Sequence, residues 1–318
     1  MLYDNNDDEN SLINVYTKPE NLNIKKVAIF ITSVVTCFIL LVGSFAFSYS
    51  KMTKSLEDTE YSSADPIDVI TIPHEESALK TAHVQIAKHN VEKMKSKFIP
   101  EYNENAQQEI TSLYYSTDKV AYLTFDDGPS ATVTPQILDI LKNENVPATF
   151  FVVGSRVKKY PNLVKRAYEE GHYIANHGYT HEYSQIYRSL DTIFGEYIDC
   201  ENAVRDALGI DDYRMYLFRY PGGSAGGRYA DLKSEAKNML NSYGVTYTNW
   251  NCMTGDAEGK NTVEAQMNEL IATMDGDDTI IVLMHDASDK QVTVNALPEV
   301  IRYLREQGYT FKNFYEIF

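Results

Sequence analysis

From Lys119 onward, short apolar runs alternate with longer amphipathic segments. The runs fall at 120–125, 148–153, 173–176, 216–219, 245–250 and 279–284. Helical periodicity fills the intervals near 134–144, 161–170, 185–208, 230–243, 262–274 and 292–307. This β-α alternation predicts an α/β domain with a mostly parallel sheet and helices outside it. The runs are almost continuously apolar, as strands covered on both faces are. An open sheet and a barrel fit the pattern equally, and in both, ligands gather at the C-terminal strand ends.

The first third of the chain has a different texture. Residues 1–26 form a short polar tail, Asn/Asp-rich up to residue 24 and ending in Lys25-Lys26. Val27 to Phe47 then carries no charged residue and is long enough to span a bilayer as a helix, so 27–48 is expected to be a retained membrane anchor. Ser44-Phe-Ala46 leaves a cleaved signal peptide as the alternative. Lys18, Lys25 and Lys26 before the span, against Lys51 and Lys54 after it, favour a cytoplasmic N-terminus. The expected product is a single-pass cell-membrane protein with everything after the span outside the cytoplasm. Residues 49–117 are expected to be linker, with a stalk helix over Glu75 to Phe98 and a second polar linker at 99–117; the folded domain covers 118–318.

Composition narrows the partners. A formal charge of −16 over 318 residues argues against nucleic acid. The 24 tyrosines offer stacking faces with polar tips, which suits ring-shaped polar ligands such as sugars. Cys37, Cys200 and Cys252 have no metal-type spacing, and the last two are expected to be free, buried thiols.

The chemistry-bearing residues cluster at strand ends. The run Val120 to Phe125 leads straight into Asp126-Asp127, and Gly128-Pro129 turns the chain. Two adjacent carboxylates repel, so a metal, an arginine or a shared proton is expected nearby. His177 and His181 follow the run ending near Asn176, Arg219 follows Phe218, Asp256 lies beyond Trp250, and His285 follows Leu283-Met284. The two histidines at i, i+4 with one carboxylate make a common Zn²⁺ ligand set that leaves a position open for substrate. If Asp127 joins that set, Asp126 is free to act as a general base oriented by Arg219. His285 would then act as an acid whose pKa Asp256 raises. Cys252, with no base beside it, reads as packing rather than nucleophile.

These residues resemble the polysaccharide deacetylases of carbohydrate esterase family 4, the NodB-homology domain. The resemblance runs from about residue 119 to 318. Thr124-Phe-Asp-Asp-Gly-Pro129 matches the first family motif in full and implies Asp126 as catalytic base and Asp127 as metal ligand. His177 and His181 stand at the second motif as metal ligands; Gly178 replaces its usual Ser/Thr, which removes a loop-stiffening hydrogen bond. Arg219 and Pro221 meet the third motif, with Gly222 in place of an aromatic and its N–H as an oxyanion donor. Asp256 takes the Asp of the fourth motif, Ala257 replaces its Trp, and Trp250 is the substitute wall. Leu283-Met-His285 matches the fifth motif, with His285 as the implied acid. The family implies a distorted, incomplete (β/α) barrel and a divalent cofactor, Zn²⁺ first. Its reaction is metal-dependent hydrolysis of N-acetyl groups from an acetylated polysaccharide, with peptidoglycan N-acetylglucosamine as the leading substrate. An O-acetylated xylan or exopolysaccharide, or an inactive glycan-binding role, is the alternative.

Overall fold

The computed structural model describes residues 98–318. The anchor at 27–48, the first linker and the stalk helix up to its last residue lie outside them. Among the described residues, no helix is long and apolar enough to cross a membrane.

The strands are β1 (Val120–Asp126), β2 (Thr149–Val152), β3 (Tyr173–Asn176), β4 (Leu217–Phe218), β5 (Thr246–Tyr247), β6 (Cys252–Met253), β7 (Thr279–His285) and β8 (Thr310–Lys312). They form one parallel sheet in the order β5-β4-β3-β2-β1-β7-β6, with β8 on β1. β7 pairs with the whole of β1, so β8 and β2 share what remains: Val120–Tyr122 pair with β8 and Thr124–Asp126 with β2. The sheet curls into a half-barrel whose terminal strands, β5 and β6, are not paired to each other. This settles the choice between open sheet and barrel in favour of an incomplete barrel.

The helices are α1 (Ala106–Leu113), α2 (Val133–Glu144), α3 (Gly154–Lys159), α4 (Pro161–Glu169), α5 (Tyr183–Ile186), α6 (Leu190–Leu208), α7 (Ala230–Ser242), α8 (Val263–Met274) and α9 (Gln291–Glu306). Three differ from expectation. The pattern places no helix at Gly154–Lys159, where α3 forms. The segment 185–208, read as one helix, breaks before Leu190. Ser189 is extended there and caps α6 in a reciprocal box with Thr192, which satisfies the first free N–H groups of the new helix. The stretch 99–117, expected to be linker, holds α1. Ala106 and Ile110 are buried on one side of it, and Gln107 exchanges two hydrogen bonds with the Tyr247 backbone.

Strand side chains alternate between two cores. Ala121, Leu123 and Phe125 of β1 face the outer helices, in one cluster with Phe150, Ile174, Phe218, Val282 and Met284. Val120 and Tyr122 face the barrel interior with Phe151, Tyr173, Ala175, Leu217 and Ile281. α1 and the 3₁₀ turn Phe314–Glu316 with Ile317 and Phe318 fill that interior from below. The other end, at the strand C-termini, is left for polar residues.

Candidate active site

The inner rows of the strands run directly into the site. Counting by twos along β1 gives Val120, Tyr122, Thr124 and Asp126; β3 gives Tyr173 and Ala175, then His177; β4 gives Leu217, then Arg219; β7 gives Ile281, Leu283 and His285. One pleat period therefore turns four chemically distinct side chains into a single interior. Asp126 and His285 are register partners across β1 and β7.

Arg219 is the centre of this layer and is wholly buried. Its Nη1 donates to Thr124 Oγ1 and to Asp126 Oδ1, each at 2.8 Å, and Nη2 donates to the Asn249 carbonyl at 3.0 Å. The guanidinium lies 3.9 Å over the Phe151 ring, so it is enclosed by an aromatic face as well as by acceptors.

Asp126 Oδ2 points the other way, 3.7 Å from His177 Nε2. Asp127 Oδ1 lies 3.6 Å from His177 Nε2 and 3.0 Å from His181 Nε2. Ligand atoms of Asp127, His177 and His181 all fall within 4.8 Å of one another. His177 Nδ1–H donates to the Arg219 carbonyl at 2.7 Å, which leaves Nε2 as the lone-pair nitrogen facing the acids. Burial lowers the His177 pKa and so favours the neutral ring, against the opposing pull of Asp126. Burial by itself raises a carboxyl pKa, but the facing His181 and His177 outweigh it and hold Asp127 well below the carboxylate range. Among the described residues, Asp127 Oδ1 is buried without a hydrogen-bond partner. An orphaned carboxylate oxygen facing two imidazole nitrogens fits a divalent cation, and the N/N/O set suits Zn²⁺ among others.

The loops carrying these ligands are strained and held. Asp127 has φ 74° and its carbonyl accepts from Arg156. Gly128 must be glycine, because a Cβ there would sit 2.0 Å from an Asp286 carboxylate oxygen. His181 has φ 61° and Gly178 φ 81°. The hydrogen bond expected to be lost with Gly178 is supplied from elsewhere. Glu196 on α6 accepts from Tyr179 N–H at 2.6 Å, Thr180 N–H at 2.7 Å and Thr180 Oγ1 at 2.7 Å.

On the opposite side, His285 Nδ1–H donates to Asp256 Oδ1 at 2.8 Å, and the His285 N–H donates to Asp256 Oδ2 at 2.8 Å. Thr293 Oγ1 also donates to that Oδ2, and Lys290 reaches the Asp256 carbonyl. Burial pulls the His285 pKa down, but Asp256, with Asp126 and Asp127 beyond, drives it up to about 9. That favours the protonated ring at neutral pH, with its Nε2 side free of Asp256.

Of the remaining sequence-flagged residues, Pro221, Gly222 and Trp250 stand at the site's edge. Pro221 is buried and Gly222 exposed in a turn at φ 73°. The turn is fixed by Tyr187 Oη donating to the Pro221 carbonyl and Lys233 donating to the Gly223 carbonyl, each at 2.7 Å. Trp250 is half-buried against Gly223 and 5.8 Å from the Arg219 guanidinium. Leu283 is buried on the inner row of β7, below the polar layer. Ala257 is exposed and provides no wall. Cys200 and Cys252 are free and buried, as expected; burial pushes the Cys252 thiol up to about 12, which agrees with packing rather than nucleophilic chemistry.

The C-terminal rim of the parallel half-barrel thus holds an Asp-His-His cluster, an arginine-paired acid and an aspartate-paired histidine. The family model for polysaccharide deacetylases matches residues 114–248. YheN of Bacillus subtilis is 37% identical over 198 residues, which cover 61% of this chain and 66% of that protein. The peptidoglycan-N-acetylglucosamine deacetylase PgdA of Listeria monocytogenes is 35% identical over 202 residues, 64% of this chain and 39% of its own length. The structure of a Streptococcus mutans CE4 esterase superposes with a TM-score of 0.60 at 31% identity, over 68% of this chain and 92% of that one. The chain belongs to the polysaccharide deacetylase family.

Proposed function

We propose that this protein removes N-acetyl groups from a cell-envelope glycan, with peptidoglycan N-acetylglucosamine as its substrate. The observation that carries the reading is the convergence of Asp127, His177 and His181 beside two separately partnered groups, Asp126 with Arg219 and His285 with Asp256. Similarity to a peptidoglycan N-acetylglucosamine deacetylase supports the substrate. The charge-free run at 27–48 supports tethering to the membrane with the domain facing the wall.

Asp127, His177 and His181 would hold a divalent cation, Zn²⁺ first. Bound there, it supplies Lewis-acid polarisation of the acetyl carbonyl and acidifies a nucleophilic water. The chain's own residues do the proton work. Asp126 has one oxygen committed to Arg219, and the other faces the ligand cluster, placed to take a proton from water as it attacks the carbonyl carbon. The Gly222 N–H, exposed on its fixed turn, is available to the oxygen that gains charge. His285, fixed at Nδ1 by Asp256, gives its Nε2 proton to the departing nitrogen as the C–N bond breaks. The products are acetate and a free amino sugar.

Acetate release from N-acetylated chitooligosaccharide and from peptidoglycan tests this directly, with O-acetylated xylan as comparator. Zn²⁺-dependent release from the N-acetylated glycans that is lost in Asp126→Asn is the expected result. Turnover of the xylan ester alone would move the substrate assignment, and binding without any turnover would make the protein a glycan-binding member of its family.

A further inference from the structure

The glycine at 222 and the tyrosine at 183 are two halves of one feature. A Cβ at Gly222 would lie 2.6 Å from Tyr183 Oη and 3.1 Å from two of its ring carbons. The Tyr183 side chain thus occupies the space into which a side chain at 222 would project. Tyr183 begins α5 two residues after His181, and its ring stands edge-on to the His181 ring at 5.9 Å. On its other side it meets Tyr187 at 5.8 Å, edge-on again.

Holding the turn is not what Tyr183 is for. The Pro221 and Gly223 carbonyls already have their donors in Tyr187 and Lys233. Among the described residues the Tyr183 hydroxyl has no hydrogen-bond partner, and the side chain is 43% exposed beside a metal-type cluster. A large ring with an open face and an unused hydroxyl at the rim of a site is positioned for a ligand. Trp250 stands beyond the adjacent glycine: a Cβ at Gly223 would be 3.5 Å from its Cη2. The Gly222-Gly223 turn therefore runs between two aromatic side chains, one by the metal-type cluster and one by Arg219.

We propose that Tyr183 is a specificity-determining residue that packs its ring on the pyranose carrying the acetyl group and hydrogen-bonds that sugar through its hydroxyl. The inference rests on the deacetylase reading and adds to it the group that selects a sugar over a bare acetyl compound. It also gives Gly222 a reason: the missing side chain at 222 is the room Tyr183 needs.

The test compares kcat/KM on an N-acetylated chitooligosaccharide with kcat/KM on a small aryl acetate, for the Zn²⁺-loaded full chain and its Tyr183→Ala, Tyr183→Leu and Tyr183→Phe variants. The expected result is a glycan-to-ester ratio lower by about tenfold or more in Tyr183→Ala. The fall should come mainly through the glycan KM, with Tyr183→Leu between and Tyr183→Phe closest to wild type. Unchanged ratios in Ala and Leu, or glycan and ester activity falling in proportion, would overturn the inference and leave the deacetylase reading intact. A wild-type protein that cleaves the ester but no glycan would sink the deacetylase reading, and this one with it.

Discussion

Arg219 and Asp126 are joined inside the barrel: Nη1 sits 2.8 Å from Oδ1 with the arginine fully buried and the carboxylate nearly so. The pair spans the barrel interior between the end of β1 and the end of β4, with β2 and β3 between them in the sheet, and the guanidinium also ties Thr124 and the Asn249 carbonyl. Removing one member of such a buried pair strands the other. Arg219→Ala is expected to cost about 3–5 kcal/mol in urea unfolding. Arg219→Lys keeps the charge but cannot reach three acceptors at once, and should fall between Ala and wild type. Equal stability of Arg219→Ala and wild type would contradict the pairing.

The His285–Asp256 pair sets a pH limit. In the folded chain His285 holds its proton up to about 9, above the ordinary imidazole value. A raised pKa contributes stability that is full below the unfolded value and is lost as pH rises through about 9. Activity that needs the protonated ring should fall over the same alkaline range. Asp256→Asn removes the largest raising influence, so the alkaline limb of kcat/KM should move to lower pH by about one unit or more. A limb that stays in place would exclude His285 as the proton donor.

Glu196 is expected to matter for metal affinity although it touches no ligand side chain. Its three short bonds hold the backbone between His177 and His181, where two residues are in the left-handed region. Glu196→Ala removes the acceptor of all three bonds. Zn²⁺ affinity measured by chelator competition should drop by about tenfold or more, with the far-ultraviolet dichroism of wild type. Unchanged affinity would show that the loop holds itself.

How far the sequence reached follows from what each feature depends on. The strand ends, the five polar clusters and the metal-type trio depend on local pattern: an apolar run read by twos delivers Asp126, His177, Arg219 and His285 to one interior. Glu196 and Tyr183 depend on tertiary approach. Glu196 meets its loop 16 and 17 residues back along the chain, and its helix shows only an ordinary exposed-looking glutamate. Tyr183 is identified only through the space Gly222 leaves. The polar stretch 99–117 hid α1 because a helix needs just Ala106 and Ile110 buried to cover the bottom of a narrow barrel.

Asp286 shows the cost of the tight turn it supports. It is buried beneath Gly128, accepts from Thr134 Oγ1 at 2.6 Å through Oδ2, and among the described residues leaves Oδ1 without a hydrogen-bond partner. Burial, with the charges of Asp127 and Asp126, raises its pKa to about 7, against the opposing influence of Thr134 and Arg156. The folded state therefore favours the proton, and stability present below the ordinary carboxyl pKa is lost as pH rises towards 7. In metal-free protein, Asp286→Asn should gain stability relative to wild type between pH 4 and pH 8 by urea unfolding. A difference that is flat across that range would contradict it.

The most direct test of the whole account strips the protein of metal, supplies N-acetylated chitooligosaccharide, and follows acetate while Zn²⁺ is returned. Release should rise from near zero to a plateau at one Zn²⁺ per chain, and His181→Ala should shift that rise to higher Zn²⁺. Acetate release at full rate without metal, or indifferent to the loss of His181, would contradict the assignment of Asp127, His177 and His181 as the metal site.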